Sequence, residues 1–260
     1  MFSEAELIDK NDELINIKLV IEYNGKNYFG WQRQKNKPTI QQTIEEALQV
    51  LLPGKRIKLI GAGRTDTGVH AVNQIANFRI KKGLYKSVGT GKLVKSLNAI
   101  LPDDIAVKKI SRCSSYFNAR YSAKKRVYSY YFSPGKTAIS NSVSFRMKTK
   151  FDIDLAKDFC KLLVGEHSFR NFCKNKSDKH DFKAMIYDAQ VVKQKDSLIR
   201  FDICANRFLH SMVRALTGVM LAVIFKKITI EEFKTKFNKG VPIKIQYLPA
   251  NALFLKKIIY

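Results

Sequence analysis

The sequence predicts an α+β protein made of two ferredoxin-like halves, each a βαββαβ unit with an antiparallel sheet. Three observations predict it. Strand-like and helix-like stretches recur in the same order twice along 260 residues, capping residues mark several helix starts, and one glycine-rich loop follows the second strand of the first half. The halves are expected to span residues 1–115, which carry the loop, and 116–260.

In the first half, Ile17 to Tyr23 is β-rich and partly alternating, and Asn24-Gly25 closes it with a turn signal. Tyr28 to Gln34 is aromatic and polar without helical period, as expected of a loop that either stacks on bases or caps a core edge. Thr39 to Leu52 reads as a helix: Thr39 and Gln42 form a capping box, Ile40, Ile44, Ala47, Leu48 and Leu51 make one apolar face, and Pro53-Gly54 ends it. Ile57 to Ile60, Val72 to Ile80 and Ile105 to Ile110 read as strands, and Thr90 to Ile100 as the second helix.

A polar and aromatic connector, Cys113 to Ala123, leads to the second half. Val127 to Phe132 is a strand and Asp152 to Val164 a helix with Leu155, Phe159, Leu162 and Leu163 on one side. Tyr187 to Val192 and Leu198 to Cys204 form a hairpin, Phe208 to Phe225 a long helix, and Leu253 to Tyr260 the last strand. A short helix opens with Thr229-x-x-Glu232. On the long helix, Arg207, His210, Ser211, Arg214, Thr217 and Gly218 form a polar stripe, either an ordinary outer face or one that meets an anion in a cleft. Residues 174–181, including His180, read as flexible surface.

Composition bounds the function. Lys and Arg number 47 against 22 Asp and Glu, a formal charge of +25 that points to a polyanion, nucleic acid before an anionic membrane. The longest apolar run, Val219 to Phe225, is too short to span a bilayer, and the acidic start with Glu4, Glu6 and Asp9 resembles no signal peptide, so a cytoplasmic protein is expected. Cys113, Cys160, Cys173 and Cys204 form no C-x-x-C pair, so neither a zinc site nor a disulfide framework is expected.

The loop Gly61-Ala62-Gly63-Arg64-Thr65-Asp66-Thr67-Gly68-Val69-His70 carries the densest chemical signal. Its glycines permit tight turns and close approach of a ligand. Arg64 and Asp66 lie two apart, so an extended segment would point them the same way, one to hold a phosphate and one to do chemistry. The simpler alternative is a solvated turn with a surface ion pair.

Together with this loop, Phe29 to Gln34, Phe117 to Ala123, Arg126 to Tyr130, Gly165 to Phe169 and Asn206 to Arg214 closely resemble the TruA family of tRNA pseudouridine synthases, in the family's order from about Asn16 to Tyr260. The resemblance implies an isomerase that converts uridine to pseudouridine at positions 38 to 40 of the tRNA anticodon arm, with no cofactor and no metal. It implies Asp66 as catalytic aspartate, Tyr128 as base-stacking tyrosine, Arg214 as the basic partner of the aspartate, and Arg64 as the residue that helps extrude the nucleotide. It also implies a basic cleft between two pseudo-repeated halves, and a homodimer. The candidate RNA contacts are Tyr128, Arg64, Gln32, Arg33, His70, Arg120, Arg126 and Arg207, with Lys35, Lys37, Lys124 and Lys125 as further cations. Two positions depart from the family pattern: Ala184 stands where an arginine is common, and Ala252 where glycine is usual.

The residues suit that chemistry. A carboxylate can either attack ribose C1′ to give a sugar ester or remove the 2′ proton to give a glycal, and both routes need Asp66 ionised in a dry pocket with a cation such as Arg214 beside it. Two other classes fit in part. An RNA-binding protein without chemistry needs the aromatics but no catalytic carboxylate, and a metal-dependent nuclease using Asp66 and His70 needs a further ligand that the sequence does not place nearby.

Overall fold

The computed structural model describes residues 13–54, 56–138, 140–174, 181–194 and 197–260. The acidic start and His180 with its neighbours 175–180 lie outside the described residues. The chain divides into two compact units. One holds the residues up to Thr67 and Ala71–Ala123; the other holds Gly68–His70 and Lys124–Tyr260.

The first unit contains strands β1 (Leu14–Tyr23), β2 (Ile60–Gly61), β3 (His70–Lys81) and β4 (Ile105–Cys113), with helices α1 (Ile40–Leu51), α2 (Lys82–Val88) and α3 (Thr90–Ile100). Its strands lie in the order β4-β1-β3-β2, every pair antiparallel. Alternation decides the packing of β1: Ile17, Leu19 and Ile21 are fully buried at period two, and Ile40, Ile44 and Leu48 of α1 join them in the core. Thr39 caps α1, its hydroxyl oxygen accepting from Gln42 N at 3.4 Å.

This unit extends beyond the expected boundary at residue 115. Asn16 donates to the carbonyls of Ser114 and Phe117, and Asn77 accepts from Ala119 N, so the connector's backbone polar groups find their partners on β1 and β3. The chain therefore changes unit at Ala123 rather than at residue 115.

The second unit contains β5 (Lys125–Ser133), β6 (Phe145–Arg146), β7 (Gly165–Ser168), β8 (Lys183–Lys193), β9 (Ile199–Ala205) and β10 (Leu253–Ile259), with α4 (Ile153–Leu163), α5 (Met212–Ile224) and α6 (Ile230–Asn238). Its main sheet runs β10-β5-β9-β8-β7, all antiparallel, and the short β6 adds parallel to β5. Tyr130, Phe132, Phe159, Phe201, Leu216 and Phe233 are fully buried in its core. The hydroxyl oxygen of Thr229 accepts from Glu232 N at 3.1 Å, as the capping pattern requires.

The long helix differs from expectation. It begins at Met212, because Ser211 takes a left-handed conformation with φ 59° and breaks the helical path. Arg207, His210 and Ser211 therefore lie before the helix, and Thr217 and Gly218 are buried, so the six residues do not form one exposed stripe. The departure at Ala252 costs nothing here: it sits in a 3-10 turn, fully buried, without the positive φ that favours glycine.

Candidate active site

Asp66 is half-buried, and the backbone on either side of it is held from the segment Tyr28 to Gln34. Trp31 N donates to Thr65 O at 3.1 Å, while Ile40 N and Gln41 N donate to the carbonyls of Gly30 and Trp31, which ties that segment to the start of α1. Gly30 has φ +85°, and a Cβ there would lie 2.6 Å from Thr65 O, 3.1 Å from the Asp66 carbonyl carbon and 3.2 Å from Thr67 N. Glycine is thus demanded twice, by conformation and by space. Gly61 plays the matching part at the loop's other end, since a Cβ there would lie 2.5 Å from the Trp31 indole.

Side chains complete the clamp. The hydroxyls of Tyr23 and Thr65 are 2.8 Å apart, and Gln74 Nε2 donates to Gly63 O at 3.0 Å. Burial pushes the Tyr23 phenol far above its usual pKa, so it remains a neutral hydrogen-bonding group. Of the two roles open to the aromatic segment, Trp31, only 2% exposed, takes the core-capping one. Phe29 is half open to solvent, with Lys37 Nζ 4.8 Å above its ring.

A buried polar network supports the strand that enters the loop. Glu45, 4% exposed, accepts from Leu59 N at 2.9 Å and from Gln41 Nε2 at 2.8 Å, and its second oxygen accepts from Arg33 Nε at 3.0 Å. Gln41 also donates to Leu59 O. Ile57 to Leu59 therefore satisfy backbone groups on helix side chains, which is why the expected strand shrinks to Ile60–Gly61. Arg33 is engaged with Glu45 and Glu46, so its first partners are protein carboxylates. Arg64, Gln32 and Arg120 are exposed, and Arg120 lies over the Tyr121 ring at 5.6 Å.

In the second unit, Tyr128 on β5 is 8% exposed, and Phe208 meets its ring edge-on at 5.1 Å. Arg214, in the first turn of α5, is half-buried and donates from Nε to Leu248 O at 2.7 Å. Arg126 donates to Asn206 O at 2.6 Å, and Arg207 pairs at the surface with Asp181 at 3.5 Å.

His70, only 2% exposed, stacks on Phe254 at 4.6 Å and donates from Nε2 to Asn251 O at 3.0 Å. Burial lowers its pKa, opposed in part by that hydrogen bond, so the imidazole is held neutral. The geometry makes it a packing residue of the second unit. Among the described residues no group of three His, Cys, Asp or Glu stands close enough to hold a metal ion, no helix is long and apolar enough to cross a membrane, and the four cysteines are free thiols.

The chain is thus an α+β protein with a carboxylate on a glycine loop and a formal charge of +25, the balance expected of a protein that meets a polyanion. A family model described as tRNA pseudouridine synthase matches residues 19–122 and 159–260. A tRNA pseudouridine synthase A of Caldicellulosiruptor bescii is 36% identical over 253 residues, covering 94% of this chain and 99% of that one. Proteins of the same name from Thermodesulfovibrio yellowstonii and Dictyoglomus thermophilum are 36% and 37% identical, each covering 95% of this chain and the whole of their own. The chain belongs to the tRNA pseudouridine synthase family, and the enzyme is an isomerase.

Proposed function

We propose that this enzyme converts uridine to pseudouridine in the anticodon arm of tRNA, at positions 38 to 40, with Asp66 as the catalytic carboxylate. The observation that carries the reading is the double restraint on the Asp66 backbone, by the Trp31 hydrogen bond to Thr65 and by the close approach of Gly30. A reacting group held this way meets its target without first being ordered. The reaction breaks the bond between C1′ and N1, turns the uracil, and joins C1′ to C5; the C5 hydrogen leaves as a proton and N1 gains one. Asp66 starts it, by attack on C1′ or by removing the 2′ proton. Tyr128, braced by Phe208, offers a ring against which uracil turns, and Arg214 is the basic partner of the carboxylate.

RNA is the polyanion best suited to the surface. Between Ile105 and Phe151 the chain carries eleven Lys and Arg and no Asp or Glu. Two tyrosines in that stretch, Tyr116 at 94% and Tyr121 at 79%, are exposed, as base-stacking rings must be. Exposed Arg64 is suited to enter the stack vacated by an extruded uridine. The shared strand order, β4-β1-β3-β2 and β10-β5-β9-β8, supports reading the halves as ferredoxin-like pseudo-repeats. The basic cleft between them, the homodimer and the cytoplasmic location rest on the family resemblance.

The test is to incubate unmodified tRNA with the protein and map pseudouridine by position, with and without excess chelator. Pseudouridine at positions 38 to 40, unchanged by chelator, is expected. Modification confined to another arm would refute the position, and chelator-sensitive strand cleavage would favour the nuclease reading.

A further inference from the structure

Residues 246–251 form a strap that runs into a 3-10 turn at Ala250; three of its carbonyls accept hydrogen bonds from outside it and a fourth lies against α5. The Gln246 carbonyl lies so close to Gly218 of α5 that a Cβ there would collide with it. Leu248 O accepts from Arg214 Nε at 2.7 Å, and Leu248 N returns a longer bond to Arg214 O at 3.4 Å. Pro249 O accepts from the Tyr130 hydroxyl at 3.0 Å, and Asn251 O from His70 Nε2 at 3.0 Å.

Three long polar side chains from different elements thus donate to one six-residue segment. Tyr130 is fully buried, and burial raises its pKa far above the usual range, so its hydroxyl stays protonated and able to donate. His70 must likewise carry its proton on Nε2, because a carbonyl oxygen only accepts. Neither group is needed to satisfy regular secondary structure. What they hold in place is the backbone that directly follows the atom receiving Arg214, while on the other side Gln246 lies against Gly218.

We propose that Tyr130 and His70 are positioning residues for Arg214: they fix the strap, and the strap's Leu248 carbonyl sets the plane of the guanidinium through Nε. The inference rests on the proposed role of Arg214 as partner of the catalytic carboxylate. It gives a physical reason for arginine there. A lysine has no planar fork, so the Leu248 carbonyl could not fix the plane of a group whose other nitrogens face the reacting site. Gly218 belongs to the same device, because only a residue without a side chain lets the strap reach the helix.

A double-mutant cycle tests it. Tyr130→Phe removes one hydroxyl from an otherwise unchanged core, and it is expected to lower single-turnover kcat by about 10- to 100-fold while tRNA binding stays within about threefold, as a misplaced catalytic group does. His70→Phe should act in the same direction, and His70→Gln, which keeps an amide donor near Nε2, should recover most of the rate. The decisive readout is the Arg214→Ala background, where Tyr130→Phe should cost nothing further, because the group it positions is gone. Losses that multiply across the cycle, or a Tyr130→Phe enzyme with wild-type kcat, would overturn the positioning role. An Arg214→Ala enzyme with wild-type kcat would instead remove the role of Arg214 on which the inference stands.

Discussion

Gly30→Ala puts the account of the Asp66 loop under the greatest strain. The wild-type residue sits at φ +85°, where an L side chain costs about 1–2 kcal/mol. Its methyl group would lie 2.6 Å from the Thr65 carbonyl oxygen, an overlap with backbone that cannot be relieved by turning a side chain; overpacking of this kind costs about 1–3 kcal/mol. The sum, about 2–5 kcal/mol, appears either as lost global stability or as a shift of the loop that relaxes the contact. The shift would break the bond from Trp31 N to Thr65 O and move Asp66 with its neighbours. The protein contains one tryptophan, Trp31, and it belongs to this clamp, so its fluorescence reports the loop directly. Urea unfolding followed at Trp31 should show a lowered midpoint or a red-shifted native spectrum, and single-turnover pseudouridine formation should fall at least about tenfold. A variant with unchanged midpoint, unchanged spectrum and a rate within twofold of wild type would refute the reasoning.

Other perturbations follow from the same geometry. Glu45→Ala leaves Leu59 N and the Arg33 guanidinium without their buried partner and should destabilise the fold by about 3 kcal/mol, measured by denaturant titration. His70 has a folded-state pKa below its ordinary 6.5, so the unfolded chain takes up the proton first; stability should be flat above that pH and decline as pH falls below it. In His70→Gln that decline should shrink, seen by comparing urea midpoints at pH 7.5 and pH 5.5. Replacing Tyr116 and Tyr121 by Ser should raise KM for tRNA about tenfold with kcat unchanged, because both rings are exposed and neither supports the core.

How far the sequence reveals this molecule depends on which physical rule governs each element. Helix α1 was legible because its cap, its apolar period and its Pro-Gly stop all agree. The start of α5 was not, because Phe208 and Met212 continue the helical spacing and nothing in it announces that Ser211 turns left-handed. The strand expected at Ile57 shortened for a related reason: its backbone partners are Gln41 and Glu45, which look like solvent-facing residues of an amphipathic helix. Helix α2, Lys82–Val88, has no side-chain cap to announce it in the sequence.

In the site, the glycines of the loop could be read as a demand for close approach, but not what approaches them. For Gly61 it is an indole, and for Gly30, outside the loop, it is the backbone beside Asp66. Tyr130 lies two residues after Tyr128 on β5, and its bond to Pro249 is a contact that no spacing in the sequence announces. His70 shows another case, a polar residue of the loop whose ring stacks on Phe254 and whose Nε2 donates to Asn251 O, neither of which its sequence neighbours announce.

One substitution tests the centre of the account. Asp66→Asn changes a negative oxygen for an amide of the same size, so tRNA binding should survive while the chemistry stops. The measurement is pseudouridine formed per tRNA over hours under single-turnover conditions, beside the affinity of the same protein for the same tRNA. No detectable product with affinity near that of the wild type is predicted; product formed at a rate near the wild type's would contradict the assignment of Asp66.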